Sequence, residues 1–340
     1  MRRQAGVAII TVLLMIALAT IAAVSMAKRQ YLDVRRTGAR EMLAQASQAL
    51  LAAEDLAVMA LRLDDAKMDS PDEDWTRTVS APVAGGLITG CLFDLQGRFN
   101  LNNLVDKESR PIQDEVDRFE LLLNALGVES NLIPKIIAST IDWIDKDINP
   151  YSPDGAEDDY YMNQTNEGAL AYRAANRPFL SVSELRMVNG VNELDGETYT
   201  QLERNVSALP EQTGFNVNTA TVEGLRMLAA HIDQEKAEEI LRWPEDRVPK
   251  YPACGDIILD DTDVGAGEVP APFDTMDTLK NAVKEGNNVL QNETGIVFAS
   301  EYFQLRTDVA LGSVQLTQFS LLHRSAEGKV QVLSRARGEY

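Results

Sequence analysis

The sequence predicts an α+β fold: one long N-terminal helix packed on a small antiparallel sheet, with a large α-helical domain inserted between the early and late strands. Three observations predict it. An uncharged run at 7–27 passes without a proline into an amphipathic pattern that lasts to Leu63. Strand-like segments stand far apart, at 86–93 and 296–332, rich in alternating β-branched and aromatic residues. The long stretch between them carries helical periodicity broken by acidic, proline-containing loops. At 340 residues and 45% hydrophobic content, the chain is long enough to bury a sizeable core.

The run at 7–27 forms, as a helix, a rod of roughly 32 Å, matching a hydrocarbon core of about 30 Å. Arg2 and Arg3 favour a cytoplasmic N-terminus, a signal that Lys28 and Arg29 weaken from the other side; the remainder is then expected in the periplasm. Three readings fit this run. It is a cleaved secretory signal, with Ser25-Met26-Ala27 as the small-x-small site, a plain signal anchor, or the lower half of a longer helix. Its length exceeds the usual signal core of about 7–15 residues. Past Lys28, Tyr31, Leu32, Met42, Leu43, Ala46, Leu50, Ala53, Ala57 and Leu63 recur at helical spacing, and no proline occurs before Pro71. One helix from 7 to about 63, on the order of 85 Å long, is therefore expected, and neither a signal peptide nor a plain anchor predicts such continuity.

Residues 64–82, rich in Asp, Pro and Ser, read as a loop. The early strand at 86–93 is expected to pair with the late ones and close a single head, leaving everything between as an insertion. That insertion is weakly repetitive. Asn100-Leu-Asn-Asn-Leu104 opens one unit and Phe215-Asn-Val-Asn-Thr-Ala220 another; Phe179-Leu-Ser-Val-Ser-Glu-Leu185 and Phe273-Asp-Thr-Met-Asp-Thr-Leu279 recur near their ends. The units resemble helix-hairpin-helix or SAM-like modules. DNA binding is not expected: the formal net charge is −20, and the loop Ala230-His-Ile-Asp-Gln-Glu235 is acidic and lacks a Gly-x-Gly phosphate hairpin.

The densest polar constellation holds Asp142, Asp145, Asp147, Asn149, Asp154, Glu157, Asp158 and Asp159, broken by Pro150, Pro153 and Gly155. Clustered hard oxygens in a turn-rich segment suit Ca²⁺, which takes about 6–8 oxygen ligands. Asp145-x-Asp147-x-Asn149 imitates the opening of an EF-hand loop, but Pro150 and Ala156 stand where that motif needs Gly and Glu. A structural calcium site of another type is expected, on Asp145, Asp147, Glu157 and Asp158 first, then Asp142 and Asp159. The alternative is a solvated acidic loop. A second acidic loop, at 260–263, reads as plain surface.

Cys91 and Cys254 are the only cysteines and have no CxxC spacing, so a thiolate zinc site is not expected; they can close one disulfide in an oxidising compartment or remain two part-buried thiols. The two histidines, His231 and His323, have no triad or metal-ligand spacing, and Gly85-Gly86 lacks the phosphate-loop pattern. No enzyme is expected, with a carboxylate-pair hydrolase as the distant alternative.

Gln-Ala-Gly6 followed by Val7-Ala-Ile-Ile-Thr-Val-Leu-Leu resembles the leader of type IV prepilins. The stretches Gly97-Arg-Phe-Asn-Leu-Asn-Asn-Leu104, Asp142-Trp-Ile-Asp-Lys-Asp147, Gly155-Ala-Glu-Asp-Asp-Tyr160, Ala171-Tyr-Arg-Ala-Ala-Asn-Arg177, Val206-Ser-Ala-Leu-Pro210 and Phe215-Asn-Val-Asn-Thr-Ala220 are similar to those of the K minor pseudopilins of bacterial type II secretion systems. The resemblance implies a pilin-like fold and cleavage by prepilin peptidase between Gly6 and Val7, with methylation of the new amine. It also implies calcium in the insertion, and assembly at the pseudopilus tip with minor pseudopilins I and J, and through them H. The head then lies on the periplasmic side of the inner membrane, within reach of secreted cargo or the outer-membrane channel. The fifth residue after the cut, Thr11, departs from the glutamate of most pilins and matches the K pseudopilins, which lack it. The expected divisions are a leader at 1–6, a transmembrane half-helix at 7–27, the first part of the head at 28–99, an inserted helical domain at 100–210, a second helical unit at 211–290, and closing strands at 291–340. A minor pilin of a type IV pilus and a membrane-anchored periplasmic calcium-binding protein are the alternatives.

Overall fold

The computed structural model describes residues 5–71, 73–83, 85–163, 171–241, 272–290 and 292–338. Its helices are α1 (Ala5–Leu63), α2 (Gln113–Ala125), α3 (Ile133–Ile144), α4 (Asp158–Met162), α5 (Gly196–Asn205), α6 (Val222–Arg226), α7 (Gln234–Ile240) and α8 (Met276–Val283). The strands are β1 (Val79–Val83), β2 (Gly86–Asp94), β3 (Phe99–Asn100), β4 (Val206–Ser207), β5 (Phe215–Asn216), β6 (Ile296–Val297), β7 (Tyr302–Leu311), β8 (Val314–Arg324) and β9 (Val330–Arg337).

The expected single rod is present: α1 runs unbroken for 59 residues. Its upper half packs on a five-stranded antiparallel sheet of order β1-β2-β7-β8-β9, so early and late strands do pair. The buried positions Ala46, Leu50, Ala57 and Leu61 fall on one helical face. The first two meet Ile88, Val309 and Leu311; the last two meet Trp75, Leu92, Phe303, Leu305 and Leu322. Between the two patches, Glu54 is buried. It accepts two hydrogen bonds from the Arg335 guanidinium, at 2.8 and 2.6 Å, and one from the Ser320 hydroxyl at 2.7 Å.

The stretch read as a loop is more ordered than expected. It holds a 3-10 turn at Asp74–Thr76 and the strand β1, which pairs with β2 across a tight turn at Gly85 (φ +88°). Pro82 hid this strand from periodicity, but β1 is an edge strand, where a missing N–H costs no ladder bond.

The helical region is inserted between β2 and β7 and holds the largest core. Its repetition is geometric as well as sequential. Phe99-Asn100 pairs in parallel with Val206-Ser207, and Phe215-Asn216 pairs in parallel with Ile296-Val297. In the first unit Asn102 brackets the backbone of one residue: its Oδ1 accepts from Phe179 N at 2.8 Å and its Nδ2 donates to Phe179 O at 3.0 Å. In the second, Asn218 brackets Phe273 with the same two distances. Two residues after each bracketed Phe stands a helix cap, Ser181 or Thr275, each in a capping box. The two units share one construction, in which an asparagine amide imitates a peptide group and ties the unit's opening to its second half.

Asn102 is 6% exposed and donates a further bond to Leu209 O at 2.8 Å. Asn102→Ala strands buried peptide groups and is expected to cost roughly 3 kcal/mol, read from denaturant midpoints. Asn218→Ala is expected to cost nearly as much, and a loss below about 1 kcal/mol in both would show that the brackets do not hold the units.

Candidate functional site

The acidic constellation begins where α3 ends. Asp142, on the last turn of α3, is fully buried, and both its oxygens are taken by the loop that folds back over it: Tyr151 N donates to Oδ1 and Ala156 N to Oδ2, each at 2.7 Å. Gly155 permits this closure, because a Cβ there would stand 2.2 Å from Asp142 Oδ2. Asp145 and Asp147 then form consecutive side-chain turns, with Oδ1 accepting from the amide two residues on in each case. The loop rests on an aromatic cluster in which Trp143 meets Tyr161 edge-on at 5.6 Å and Tyr161 stacks on Tyr172 at 5.1 Å.

Asp145, Asp147 and Glu157 each offer a carboxylate oxygen within 4.8 Å of the others. Asp145 and Glu157 are buried and Asp147 is exposed. Both Glu157 oxygens lack a hydrogen-bond partner, which for a buried carboxylate is costly unless a cation supplies the missing interaction. Burial, together with Asp142, Asp145, Asp147 and Asp158, pushes Glu157 up to about 8; burial and the carboxylates Asp147 and Asp142 push Asp145 up to about 6. Burial also raises Asp142, against the two amides that it accepts. The donor set is all carboxylate oxygen, hard and without sulfur or imidazole, and fits a hard divalent cation.

Of the other expected ligands, Asp158 turns away, accepting from Ala174 N at 3.0 Å and pairing with Arg173 at 3.5 Å. Asp159 is exposed on α4, outside the trio, and Asp142 is occupied in holding the loop. Sequence reasoning missed Asn176. It has a left-handed backbone (φ +45°), donates Nδ2 to the Asp147 carbonyl at 2.6 Å, and leaves a buried Oδ1 without a partner. Its only signal was its place in Ala171-Tyr-Arg-Ala-Ala-Asn-Arg177.

A second acidic group, Asp64, Asp69 and Glu73, lies where the chain leaves α1, so two clusters able to hold a metal ion are present among the described residues. At the other end of the rod, Gly6 and Val7 lie in the first turns of α1, and Thr11 donates its hydroxyl to Ala8 O at 2.9 Å. The α1 helix is long and apolar enough to cross a membrane. Cys91 is buried in β2, while Cys254 and the loop at 260–263 lie outside the described residues. His231 reaches Val283 O at 3.0 Å and His323 lies against Tyr302 at 4.8 Å, both in structural settings.

Residues 97–211 match the family model described as type II secretion system protein K. Relatives described as type II secretion system protein K include that of Pseudomonas aeruginosa, 34% identical over 99% of this chain and 94% of its own length. That of Pectobacterium carotovorum is 32% identical over 99% and 98%. In the crystal structure of the GspK-GspI-GspJ complex from enterotoxigenic Escherichia coli, one chain superposes with a TM-score of 0.66 at 26% identity, covering 90% of this chain and all of that one.

An acid with a folded pKa above its unfolded value takes up a proton on folding, so stability falls as pH rises between the two values. For Glu157 that window runs from its ordinary 4.5 to about 8, and the upward shift at Asp145 acts in the same direction over its lower part. The melting temperature of the chain in chelator is expected to fall from about pH 5 to about pH 8, and Glu157→Gln to flatten the profile. An identical profile for wild type and variant would show that Glu157 is not under this constraint.

Proposed function

The chain belongs to the type II secretion system protein K family, and from that premise we propose that it caps the pseudopilus as its tip subunit. Membership makes it a minor pseudopilin, a structural and non-catalytic component of pseudopilus assembly in protein secretion. The observation that carries the tip reading is the undivided α1. Its lower half is apolar and exposed, and Leu56, Met59 and Leu63 on its upper half are exposed as well, a surface suited to bundling with sister helices. Minor pseudopilins I and J are the proposed partners, with H joined through them, as supported by the likeness to a chain crystallised with GspI and GspJ.

A lipid-buried carboxylate is costly and is tolerated where it pairs with a neighbouring subunit's terminal amine. Thr11 satisfies its hydroxyl within its own helix and has no need of such a neighbour, which suits a subunit with none above it. The insertion between β2 and β7 enlarges the head, and a bulky head is accommodated most easily at a free end. The head faces the periplasm from the inner membrane, where it meets cargo or the outer-membrane channel. Processing at Gly6 leaves Val7 as the first residue, and mass analysis of the N-terminus of the membrane-resident chain tests the reading. A start at Val7 with a methylated amine is expected, while a start at Lys28 or Met1 would defeat it.

In the insertion, Asp145, Asp147 and Glu157, with Asn176 Oδ1 as a further oxygen, hold a structural Ca²⁺, and Asp142 positions their loop. The two unpartnered oxygens of Glu157 support this most directly. Ca²⁺ at about a hundred times Kd is expected to stabilise the chelator-stripped chain by about 3 kcal/mol. An unmoved melting temperature in millimolar Ca²⁺ would count against the site.

A further inference from the structure

We propose that Asp64, Asp69 and Glu73 form a second divalent-cation site, at the joint where α1 hands the chain to the sheet. One carboxylate oxygen from each lies within 4.8 Å of the others. Asp69 is fully buried. Its Oδ2 accepts from Ser300 N at 2.7 Å and from the Arg324 guanidinium, while its Oδ1 has no hydrogen-bond partner. A half-used, wholly buried carboxylate among other carboxylates is the arrangement a bound cation resolves.

The charges lead to the same ion. Arg324, itself 1% exposed in its side chain, bonds Asp64 Oδ2 at 2.9 Å as well as Asp69, and so serves two acids with one positive charge. Asp64 and Asp69 against one guanidinium leave an uncompensated negative charge, and Glu73 adds to the negative potential at Asp69, which a divalent cation relieves. Asp94, a half-buried acid, adds to the negative potential at Asp69. Its own bonds are complete: it accepts from Gln96 N at 2.7 Å, Asn216 Nδ2 at 3.0 Å, Thr219 Oγ1 at 2.5 Å and Ser300 Oγ at 2.6 Å. Asp94 therefore adds charge to the group but offers no ligand oxygen. Glu73 is fixed by Ser70 N at 2.9 Å and Trp75 Nε1 at 2.8 Å, both on Oε2. Oxygen donors without sulfur or nitrogen, on an irregular loop, suit Ca²⁺ better than a metal that demands strict geometry.

The position gives the ion a task. Asp64 follows the last residue of α1; Asp69 is tied to Ser300 ahead of β7 and to Arg324 at the end of β8; Ser300 and Asp94 bond Asn216 of the second helical unit. An ion here fixes the exit of the rod to the sheet and, through one more bond, to the insertion. The site shares no ligand with the loop of Asp145 and Glu157, and it stands whether or not that loop binds metal.

The test uses the full chain in detergent, stripped with chelator and equilibrated with about 1 mM Ca²⁺, with bound calcium counted by elemental analysis. The background is Asp145→Asn with Glu157→Gln, which disables the insertion loop. In it the chain is expected to keep about one ion, and Ca²⁺ to change the emission of Trp75, whose indole bonds a proposed ligand. Glu73→Gln keeps an acceptor for Trp75 and Ser70 and is expected to fold; it should remove both the ion and the emission change, as should Asp69→Asn. If Glu73→Gln leaves the count and the emission response unaltered, the bound ion lies elsewhere and the proposal is overturned. Absence of bound calcium in the loop-disabled background overturns it equally.

Discussion

The buried face of α1 is the constraint from which the rest follows. Ala46, Leu50, Ala57 and Leu61 seat the helix on the sheet, and each buried Leu contributes about 1.5–3 kcal/mol by leaving water. Glu54 does something apolar contacts cannot do. Its two bonds from Arg335 and one from Ser320 are met in only one register of helix against β8 and β9, and any slide along the sheet would strand a buried carboxylate. Packing supplies the attraction and Glu54 supplies the register. A rod held in one register transmits a push or pull on its apolar half to the head.

The insertion obeys a different rule. Its units open with strands of only two residues, Phe99-Asn100 and Phe215-Asn216, too short to hold a unit closed through a ladder. The asparagine brackets make up the difference. Asn102 and Asn218 each reach across a whole unit to a single phenylalanine, and sequence separations of 77 and 55 residues are closed by one side chain apiece. Because Phe179 and Phe273 sit just ahead of capped helices, each bracket fixes the entry of a helix as well as the edge of a strand. The same four-residue pattern, Phe-Asn-x-Asn, thus builds both units, whose intervening stretches differ in length and content.

This division explains how much the sequence disclosed. The rod, the pairing of early and late strands and the recurrence of units were legible, since each rests on periodicity or on a repeated motif. The partners of the brackets were not, because a hydrogen bond between distant residues leaves no periodic trace. Within the acidic loop, the sequence identified the region and ranked Asp142 after Asp145, Asp147, Glu157 and Asp158, but it could not separate the three that converge from Asp158, which faces Arg173. Only the fold-back of the loop onto α3 distinguishes those four, and it spends Asp142 on two amides. The cluster of Asp64, Asp69 and Glu73 escaped notice because its spacing matches no motif and its stretch reads as a polar connector.

The two acidic clusters occupy comparable mechanical positions. One closes the loop after α3; the other closes the turn after α1, and neither turn is sealed by hydrophobic contact alone. At such joints buried carboxylates destabilise the ion-free fold and stabilise the ion-bound one, so the balance between the two is set by the free cation concentration. A chain carrying −20 overall adds long-range attraction for cations to that local demand. With the two cation sites proposed above, both joints tighten as the free cation concentration rises, and the seating of the head on α1 tightens with them.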